Sequence, residues 1–224
     1  MSIKKGFSNE LYQDSYSKLL YSGLLGRLSA FPHFLMEFHL RNLNLGKVIE
    51  LGAGSGEHRR FVKHSYTLYL ETDLNKSLTN SSVVQMNAEK LDLIEDSSYD
   101  RLIATCLLAH LANPEQALLE WRRVVKPGGI ISIYVPCEPG VILRLFRFLT
   151  TNIKARRQGY DHYAIHYVEH RNYYISMKYM IKSVFKLDSI KRVRFPLPLL
   201  SWNFNFFEIY QIRVGVSQDE SQSS

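Results

Sequence analysis

The chain has 224 residues, of which 46% are hydrophobic and 22% are charged. This composition predicts one folded domain with a full hydrophobic core and excludes a disordered chain. The two cysteines, Cys106 and Cys137, are too few for a disulfide scaffold and lack the spacing of metal ligands. No apolar run of a secretory signal follows the first lysines, and every apolar stretch is too short to span a bilayer. We therefore expect a cytoplasmic protein without a transmembrane segment.

The net charge of +7 predicts attraction to anions, without saying which anions. Two basic clusters stand out, Lys154 with Arg156 and Arg157, and Lys191 with Arg192 and Arg194. One interpretation is a solvated basic face. The others are an anionic small substrate, a membrane surface and nucleic acid, and the sequence leaves this choice open.

The first part of the chain, residues 1–45, has apolar residues at helical spacing. They predict one helix that Pro32 breaks and a second helix over residues 34–40. The apolar positions of the first helix are Leu11, Tyr16, Leu19, Leu20, Leu24, Leu25 and Leu28. We expect both helices to lead into the domain.

Residues 46–139 alternate short apolar strands with helical patterns. The predicted strands cover residues 47–51, 68–72, 82–85, 101–105 and 130–135, with a helix over 114–125. The residues after a glycine-rich loop at 52–56 can begin a helix, and Gly128 and Gly129 turn the chain into the fifth strand. This alternation predicts an α/β fold with a doubly wound, mostly parallel sheet covered on both faces.

Residues 140–216 are aromatic, basic and rich in histidine, and they complete the predicted domain. We expect a helical lid insert over 141–174, a helix over 176–185, and a closing antiparallel pair of strands over 188–195 and 206–214. A single domain over 1–216 thus comprises N-terminal helices (1–45), a glycine-loop core (46–139), a lid (140–175) and closing elements (176–216). Residues 217–224 are predicted to be a flexible polar tail.

The most informative segment is residues 48–56, with the sequence Val-Ile-Glu-Leu-Gly-Ala-Gly-Ser-Gly. A strand that runs into a glycine-rich turn lets the backbone approach a ligand that a Cβ atom would block. Such a loop alone could also belong to a dinucleotide-binding enzyme. Its spacing here is G-x-G-x-G, with Glu50 two residues before the first glycine, and differs from the G-x-G-x-x-G of that class.

At these residues the chain resembles the class I S-adenosylmethionine (SAM)-dependent methyltransferases, and four further segments continue the likeness in order. Residues 70–74 are similar to the end of that family's second strand. Residues 86–91 are similar to its adenine-contact motif, although the family usually has Asp in the place of Asn87. Residues 97–111 and 121–129 are similar to the segments around its fourth strand and before its fifth strand. The resemblance covers about residues 46–136 and implies a Rossmann-like fold.

The resemblance also implies SAM as cofactor, S-adenosylhomocysteine as product, and roles for individual residues. The glycine loop would wrap the methionine part of SAM, with Glu50 helping to organise it. The Asp73 carboxylate would accept both ribose hydroxyl protons, with Glu71 as the competitor for that role. The full set of expected cofactor-binding residues is Glu50, Gly52, Ala53, Gly54, Gly56, Asp73, Leu74, Asn87, Ala88 and Thr105.

Methyl transfer needs an aligned acceptor, and it needs a base only where the acceptor atom carries a proton. His110, just past the fourth predicted strand, is a candidate base, and local packing is its alternative role. His162, His166 and His170 recur every four residues and would share one helix face, able to contact substrate, act as base or bind a metal. We predict no metal site and assign catalysis to His110, His166 and His170. Substrate contacts are assigned to Tyr12, Tyr16, His162 and Arg171.

The residues around the acceptor site favour a small molecule. Residues 105–108, Thr-Cys-Leu-Leu, lack the Asn/Asp-Pro-Pro-Tyr/Phe motif of enzymes that methylate amino groups of nucleobases or glutamine. No nucleic-acid-binding module is recognisable, so nucleic acid is not an expected partner. The basic lid favours an anionic acceptor methylated on O or N, such as a nucleotide sugar, a polysaccharide precursor or an acidic metabolite, and a homodimer stays open. The alternatives are a methyltransferase of RNA or another macromolecule, and a catalytically silent SAM-binding protein.

Overall fold

Seven strands form one mixed sheet in the computed structural model, which describes residues 23–75, 81–157 and 170–215, without the side chains of 23–29 and 154. The strands are β1 (Lys47–Leu51), β2 (Leu68–Asp73), β3 (Val84–Gln85), β4 (Tyr99–Thr105), β5 (Val125–Pro136), β6 (Ser189–Phe195) and β7 (Phe207–Arg213). Their order across the sheet is β3-β2-β1-β4-β5-β7-β6. Strands β1 to β5 pair in parallel, whereas β7 is antiparallel to both β5 and β6. The predicted mostly parallel sheet with an antiparallel last strand is confirmed.

Five helices accompany the sheet within these described ranges. They are α1 (Gly23–Phe38), α2 (Pro114–Val124), α3 (Val141–Leu149), α4 (Thr151–Arg157) and α5 (Tyr174–Val184). Short 3₁₀ turns occur at Arg59–Phe61, Leu107–Ala109 and Trp202–Phe204. Nowhere in the described part is a helix both long and apolar enough to cross a bilayer.

The two faces of the sheet pack against different helices. Successive residues of a strand point to opposite faces. On one face, Ile49 shares a core with Trp121 of α2 and Met177 of α5. On the other face, Val48 shares a smaller core with Met36 of α1. All five side chains are buried, as expected for central parallel strands covered on both sides.

The N-terminal prediction of two helices separated at Pro32 is wrong for the described residues, because α1 runs from Gly23 to Phe38 with Pro32 inside it. A proline within a helix removes a backbone hydrogen bond and costs about 3 kcal/mol. Pro32 and Met36 are both buried, and burying one large apolar side chain stabilises by about 1.5–3 kcal/mol. Packing of α1 against the sheet therefore offsets the free-energy cost of a proline inside the helix. The local sequence shows this cost but not the packing.

The predicted helix after the glycine loop is also wrong. Residues 54–58 form turns and lead into the 3₁₀ turn Arg59–Phe61. The buried His58 side chain approaches Glu37 of α1, with Nε2 and Oε1 2.9 Å apart. This contact turns the chain toward α1 immediately after the loop, and a helix beginning at the loop would carry His58 away from it.

Strand β5 is longer than predicted, because Gly128 and Gly129 lie inside it instead of preceding it. The Gly128 N–H donates to the Val214 carbonyl, and the Val214 N–H donates to the Gly129 carbonyl, at 2.7 and 3.0 Å. These hydrogen bonds to the residue after β7 thus hold the glycine segment within β5, although Gly128 has a left-handed φ of 78° and forms an irregularity in the strand. The limits of the other predicted elements differ from the observed limits by a few residues. Helices α3 and α4 lie in the predicted lid over 141–174, of which residues 158–169 fall outside the described residues.

A buried polar network ties α1 to the sheet. Arg101 of β4 is 0% exposed and donates to both oxygens of Glu37 at 2.8 and 2.5 Å. The Arg101 guanidinium also donates to Ser132 Oγ of β5 and to His64 Nε2, at 3.1 and 2.7 Å. Burial alone would raise the pKa of Glu37, but hydrogen bonds from His58 and Arg101 lower that pKa to about 2. We call these residues, with His33, the Arg101 network.

Burial favours the neutral form of the histidines in the Arg101 network, and their hydrogen-bond partners fix which ring nitrogen carries the proton. The Glu37 carboxylate can only accept, so His58 Nε2 carries a proton and His58 Nδ1 accepts from His33 Nδ1–H at 2.8 Å. Arg101 can only donate, so His64 Nε2 accepts and His64 Nδ1–H donates to the Ser65 carbonyl at 3.1 Å. Burial lowers the pKa of His33 to about 3, aided by the nearby His58 and Arg60, and burial also lowers the pKa of His58 and of His64.

Candidate active site

The carboxyl ends of β1, β2, β4 and β5 meet at one edge of the sheet, where ligands bind in open α/β folds. The glycine loop follows β1, Leu74 follows β2, the 3₁₀ turn Leu107–Ala109 follows β4, and residues 137–140 follow β5. The chain returns to this edge before α5, where the Tyr174 N–H donates to the Glu138 carbonyl at 2.9 Å.

The glycine loop forms a cradle that a larger residue would fill. Gly52, Gly54 and Gly56 have φ angles of 67°, 56° and 82°, in the left-handed region that favours glycine. A Cβ atom on Gly52 would lie 2.8 Å from Leu107 Cδ1, whereas a Cβ atom on Gly54 would point into open space with nothing within 4 Å. The Ala53 N–H donates to the Thr72 carbonyl at 2.8 Å and holds the loop on β2. Open space above exposed loop backbone fits the methionine part of SAM.

The two carboxylates at the end of β2 have different surroundings. Asp73 Oδ2 accepts from the Gly54 N–H and Asp73 Oδ1 accepts from the Asn75 N–H, both at 2.9 Å. Glu71 is buried and accepts from Ser82 Oγ at 3.2 Å and from Arg59 Nη1 at 3.4 Å. Asp73 thus lies beside the loop, as a ribose-binding carboxylate must, while Glu71 serves contacts between β2 and its neighbours.

The residues expected around the adenine lie at or just after the ends of β2, β3 and β4. Asn87 Oδ1 accepts from the Glu89 N–H at 2.9 Å, and the Ala88 carbonyl accepts from Trp121 Nε1–H at 2.9 Å. Leu74 is exposed beside the end of β2, and Thr105 is the last residue of β4. These positions surround the same edge as the glycine loop, and their contacts with SAM stay predictions.

Glu50 lies beneath the glycine loop, next to a partner that the sequence analysis did not identify. Its side chain is buried, and Tyr69 Oη donates to Glu50 Oε2 at 2.6 Å. Burial raises the pKa of Glu50 to about 8. The Tyr69 hydrogen bond acts to lower this pKa, and the nearby Glu71 carboxylate acts to raise it. A cation bound above the loop would favour the ionised form of this side chain.

Two predicted catalytic histidines meet just past β4, at the carboxyl edge of the sheet. The rings of His110 and His170 are in edge-to-face contact, with centroids 4.7 Å apart. His170 Nδ1 lies 2.7 Å from Glu138 Oε2, and Arg147 of α3 forms an ion pair with the other Glu138 oxygen. Because the Glu138 carboxylate accepts, His170 Nδ1 carries the proton and Nε2 is the basic nitrogen of the neutral ring. The arrangement can therefore orient a histidine and receive a proton.

Backbone contacts hold this cluster at the end of β4. The Arg171 and Asn172 N–H groups both donate to the Ala109 carbonyl, at 2.8 and 3.0 Å. Asn172 Nδ2 donates to the Leu108 and Leu111 carbonyls at 3.0 and 2.8 Å. Since Leu107 of the same turn contacts the position of Gly52, the histidines lie close to the cofactor cradle.

Glu138 was not predicted from the sequence, where its only signal is its place two residues after a strand that ends at the ligand-binding edge. The helix interpretation of the histidine stripe is wrong at His170, which is non-helical and precedes α5, because its side chain is directed to Glu138. Arg171 is exposed, and its charge helps to lower the pKa of Glu89 against the effect of burial, together with hydrogen bonds from Asn113 and Ala112. The predictions for Tyr12, Tyr16, His162 and His166 fall outside the described residues.

Neither cysteine resembles an activated nucleophile. Burial raises the pKa of the Cys106 thiol to about 12, and burial also raises the pKa of Cys137. Thiolates are the reactive form, so both side chains stay protonated near neutral pH. Within the described ranges, no group of three or more His, Cys, Asp or Glu side chains could hold a metal ion.

Sequence comparison places the core of the chain among methyltransferases. Residues 49–133 match the family described as "Methyltransferase domain". The human thiol S-methyltransferase TMT1B is 28% identical over 104 residues, which are 40% of this chain and 43% of that protein. The chain spans less than half the length of the curated relatives it matches.

Solved structures extend the likeness in fold to nearly the whole chain. A SAM-dependent methyltransferase from Archaeoglobus fulgidus has a TM-score of 0.62 at 11% identity, covering 90% of this chain and 99% of that one. A SAM-dependent methyltransferase from Thermotoga maritima has a TM-score of 0.58 at 14% identity, covering 92% and 97%. Residues 49–133 thus match the methyltransferase domain family, and the described fold is that of SAM-dependent methyltransferases. The glycine cradle and Asp73 fit SAM, the methyl donor that these matches imply.

Proposed function

We propose that this chain transfers the methyl group of SAM to an oxygen or nitrogen atom of a small anionic acceptor, using His110 and His170 as the basic centre. The observation that carries the proposal is the contact between these rings, 4.7 Å apart, beside the loop that would hold SAM. We also propose that one domain extends over residues 1–216. The cytoplasmic location and the homodimer stay predictions, which cell fractionation and analytical sedimentation respectively would test.

The proposed roles follow from what each side chain can do. When bound, SAM would supply a methyl group on a positively charged sulfur. The acceptor atom would displace that sulfur from the methyl carbon, in line with the carbon–sulfur bond. Glu138 accepts from His170 Nδ1–H at 2.7 Å, fixes the ring and stabilises its protonated form. His170 Nε2 or His110 then takes the proton from an acceptor hydroxyl or ammonium group, and positioning with general base catalysis together lower the barrier.

Charges near the cluster support an anionic acceptor. Arg171 is exposed one residue after His170, and Arg147 lies behind Glu138. The chain as a whole carries a net charge of +7, which raises the local concentration of anions. Guanidinium groups pair with carboxylates and phosphates through two parallel hydrogen bonds, so Arg171 is the residue we assign to the acceptor's charged group.

The test begins with the release of S-adenosylhomocysteine on incubation with a panel of hydroxylated acids, sugar phosphates and amines. With an accepted substrate, His170→Asn should lower kcat by about 10²- to 10⁴-fold and remove the loss of rate at acid pH. The dissociation constant for SAM should stay unchanged. His39→Asn is the matched control, because His39 is exposed on the C-terminal side of α1.

Two results would contradict this proposal. Retention of the wild-type kcat and pH profile by both His170→Asn and His110→Asn would remove the basic centre. Micromolar SAM binding without turnover of any acceptor class would favour the catalytically silent SAM-binding protein instead.

A thiol acceptor is a second candidate, favoured by the similarity to the thiol S-methyltransferase TMT1B. A free thiol has a pKa near 8.5 and ionises in water more readily than an alcohol, so it depends less on a base. Small thiols in the same panel separate the candidates. Turnover of thiols alone, with little loss in His170→Asn, would support sulfur as the acceptor atom.

A further inference from the structure

The carboxyl edge of the sheet carries an apolar surface that contains none of the residues assigned to the site above. Helix α3 starts after Gly140 and buries Leu143, while its outer apolar side chains are 55–59% exposed. These outer residues are Val141, Leu145, Phe148 and Leu149, and Ile153 of α4 extends them. Scattered apolar side chains are normal on a protein surface, but several on one short helix form a continuous patch.

The loop between β6 and β7 adds a second set of apolar side chains next to α3. Its members are Leu197, Leu199, Leu200 and Phe204, and Leu199 is 96% exposed. The two elements are neighbours, because the rings of Phe146 and Phe206 are 5.2 Å apart and a Cβ atom on Gly140 would lie 3.3 Å from the Trp202 carbonyl. We call the exposed residues of α3, α4 and this loop the apolar face.

Within the described residues, positive charges lie beside the apolar face. Arg144, Arg156 and Arg157 are exposed on α3 and α4. Residues 139–157 and 196–207 contain no Asp or Glu. Arg194 donates to the Leu200 carbonyl at 2.5 Å and so places a further cation beside the loop. The charge that complements this surface is therefore negative and spread over a wide area.

We propose that the apolar face docks on a bilayer that contains anionic lipids. A short helix with Leu and Phe on one side and Arg beside them is the pattern of an interfacial helix, whose apolar side enters the headgroup region while its cations meet lipid phosphates. Leu199, which follows Pro198, is almost fully exposed and forms an apolar tip that can enter acyl chains without a matching pocket. Nucleic acid would match the arginines but leave these leucines and phenylalanines in water.

Docking on this face would direct the methyltransferase site toward the membrane. The apolar face lies at the same edge as Glu138, because Arg147 of α3 pairs with Glu138 and β6 ends at this edge. The opposite edge of the sheet carries Leu93 and Leu187, which are also strongly exposed but lie before β4 and before β6. These two residues are matched controls, since they have the same chemistry at the wrong end of the molecule.

The test is co-sedimentation of the full chain with vesicles of phosphatidylcholine alone or with 30% phosphatidylglycerol. We expect binding at least about tenfold tighter to the anionic vesicles, and weakening by salt. The variant L145S/F148S should lose about tenfold or more, and R144Q/R156Q/R157Q should reduce binding to the level on neutral vesicles. L93S/L187S should bind like the wild type.

Two controls make the result specific to the apolar face. Each variant must retain SAM affinity and its urea midpoint, which is expected because the substituted side chains are exposed. A Trp in place of Leu199 (L199W) should be quenched by brominated lipid only when anionic vesicles are present.

Three outcomes would overturn the proposal. The first is no vesicle binding at physiological salt, and the second is binding that survives L145S/F148S. The third is a dimer in solution that L145S/F148S dissociates, because the apolar face would then be covered by a second copy of the chain.

Discussion

Removal of the Arg101 guanidinium tests the buried link between α1 and the sheet. Arg101 and Glu37 are 0% and 2% exposed in their side chains. Arg101→Met keeps an apolar stem of similar length but leaves the Glu37 carboxylate buried without its main counter-charge. His64 Nε2 and Ser132 Oγ lose a donor in the same substitution.

The expected cost is large because the partners stay behind. Removing one member of a buried ion pair destabilises by about 3–5 kcal/mol, whereas replacing both members by apolar residues costs much less. The loss of partners at His64 and Ser132 adds about 1 kcal/mol or more, since buried polar groups then lack hydrogen bonds. We therefore expect E37M/R101M to be less destabilised than the sum of the single variants by about 3 kcal/mol.

Urea unfolding of the two single variants, the double variant and the wild type measures this coupling. The free energies of unfolding are compared from the urea midpoints, provided that the slope of free energy against urea concentration is the same in all four proteins. The control is Lys90→Met, because Lys90 and Asp92 form an ion pair with side chains 71% and 62% exposed, and such pairs are worth about 1 kcal/mol or less. A coupling energy below about 1 kcal/mol for Glu37 and Arg101 would refute the reasoning from burial.

Three further predictions concern acid stability and the cofactor. His33 has a pKa of about 3 when folded, below its ordinary value, so the unfolded chain binds more protons. Stability should be complete above pH 6.5 and should decrease as pH decreases toward 3, and urea midpoints between pH 7 and 5 should vary less in His33→Leu. Asp73→Ala should weaken SAM binding by about 1–3 kcal/mol in calorimetric titration, with Glu71→Gln as the comparison, and near-normal affinity in Asp73→Ala would transfer the ribose role to Glu71. Gly54→Val should abolish SAM binding to folded protein, because its side chain would enter the open cradle and φ at this position is 56°; binding at wild-type affinity would place SAM elsewhere.

Much of the fold could be predicted because its signals are local. Apolar strands, helix periods and glycine turns lie within a few residues of one another, and β1, β2, β4 and α2 are found within two residues of their predicted limits. Pro32 shows where this logic ends. The sequence shows that a proline inside a helix is unfavourable. It does not show that α1 packs against the sheet, and this packing offsets the cost.

The candidate site divides in the same way. His110 and His170 could be chosen from their residue type and position, but 60 residues separate them and only the packed chain brings their rings together. Glu138 was not identified because an acidic residue after a strand is common, and its role depends on His170, 32 residues further along. Tyr69 was missed for the same reason, since its partner Glu50 lies on the neighbouring strand.

Sequence alone predicts the glycine loop, the carboxylate at the end of β2 and the order of the methyltransferase motifs, because these depend on neighbouring residues and on spacing along one chain. Three other features are visible only in the folded chain. They are the pairing of His170 with a carboxylate, the lowered pKa values of three buried histidines around Arg101, and the contact between apolar side chains of α3 and the β6–β7 loop. Those features depend on contacts between segments distant in sequence, and on the exclusion of water that changes the energies of charged groups.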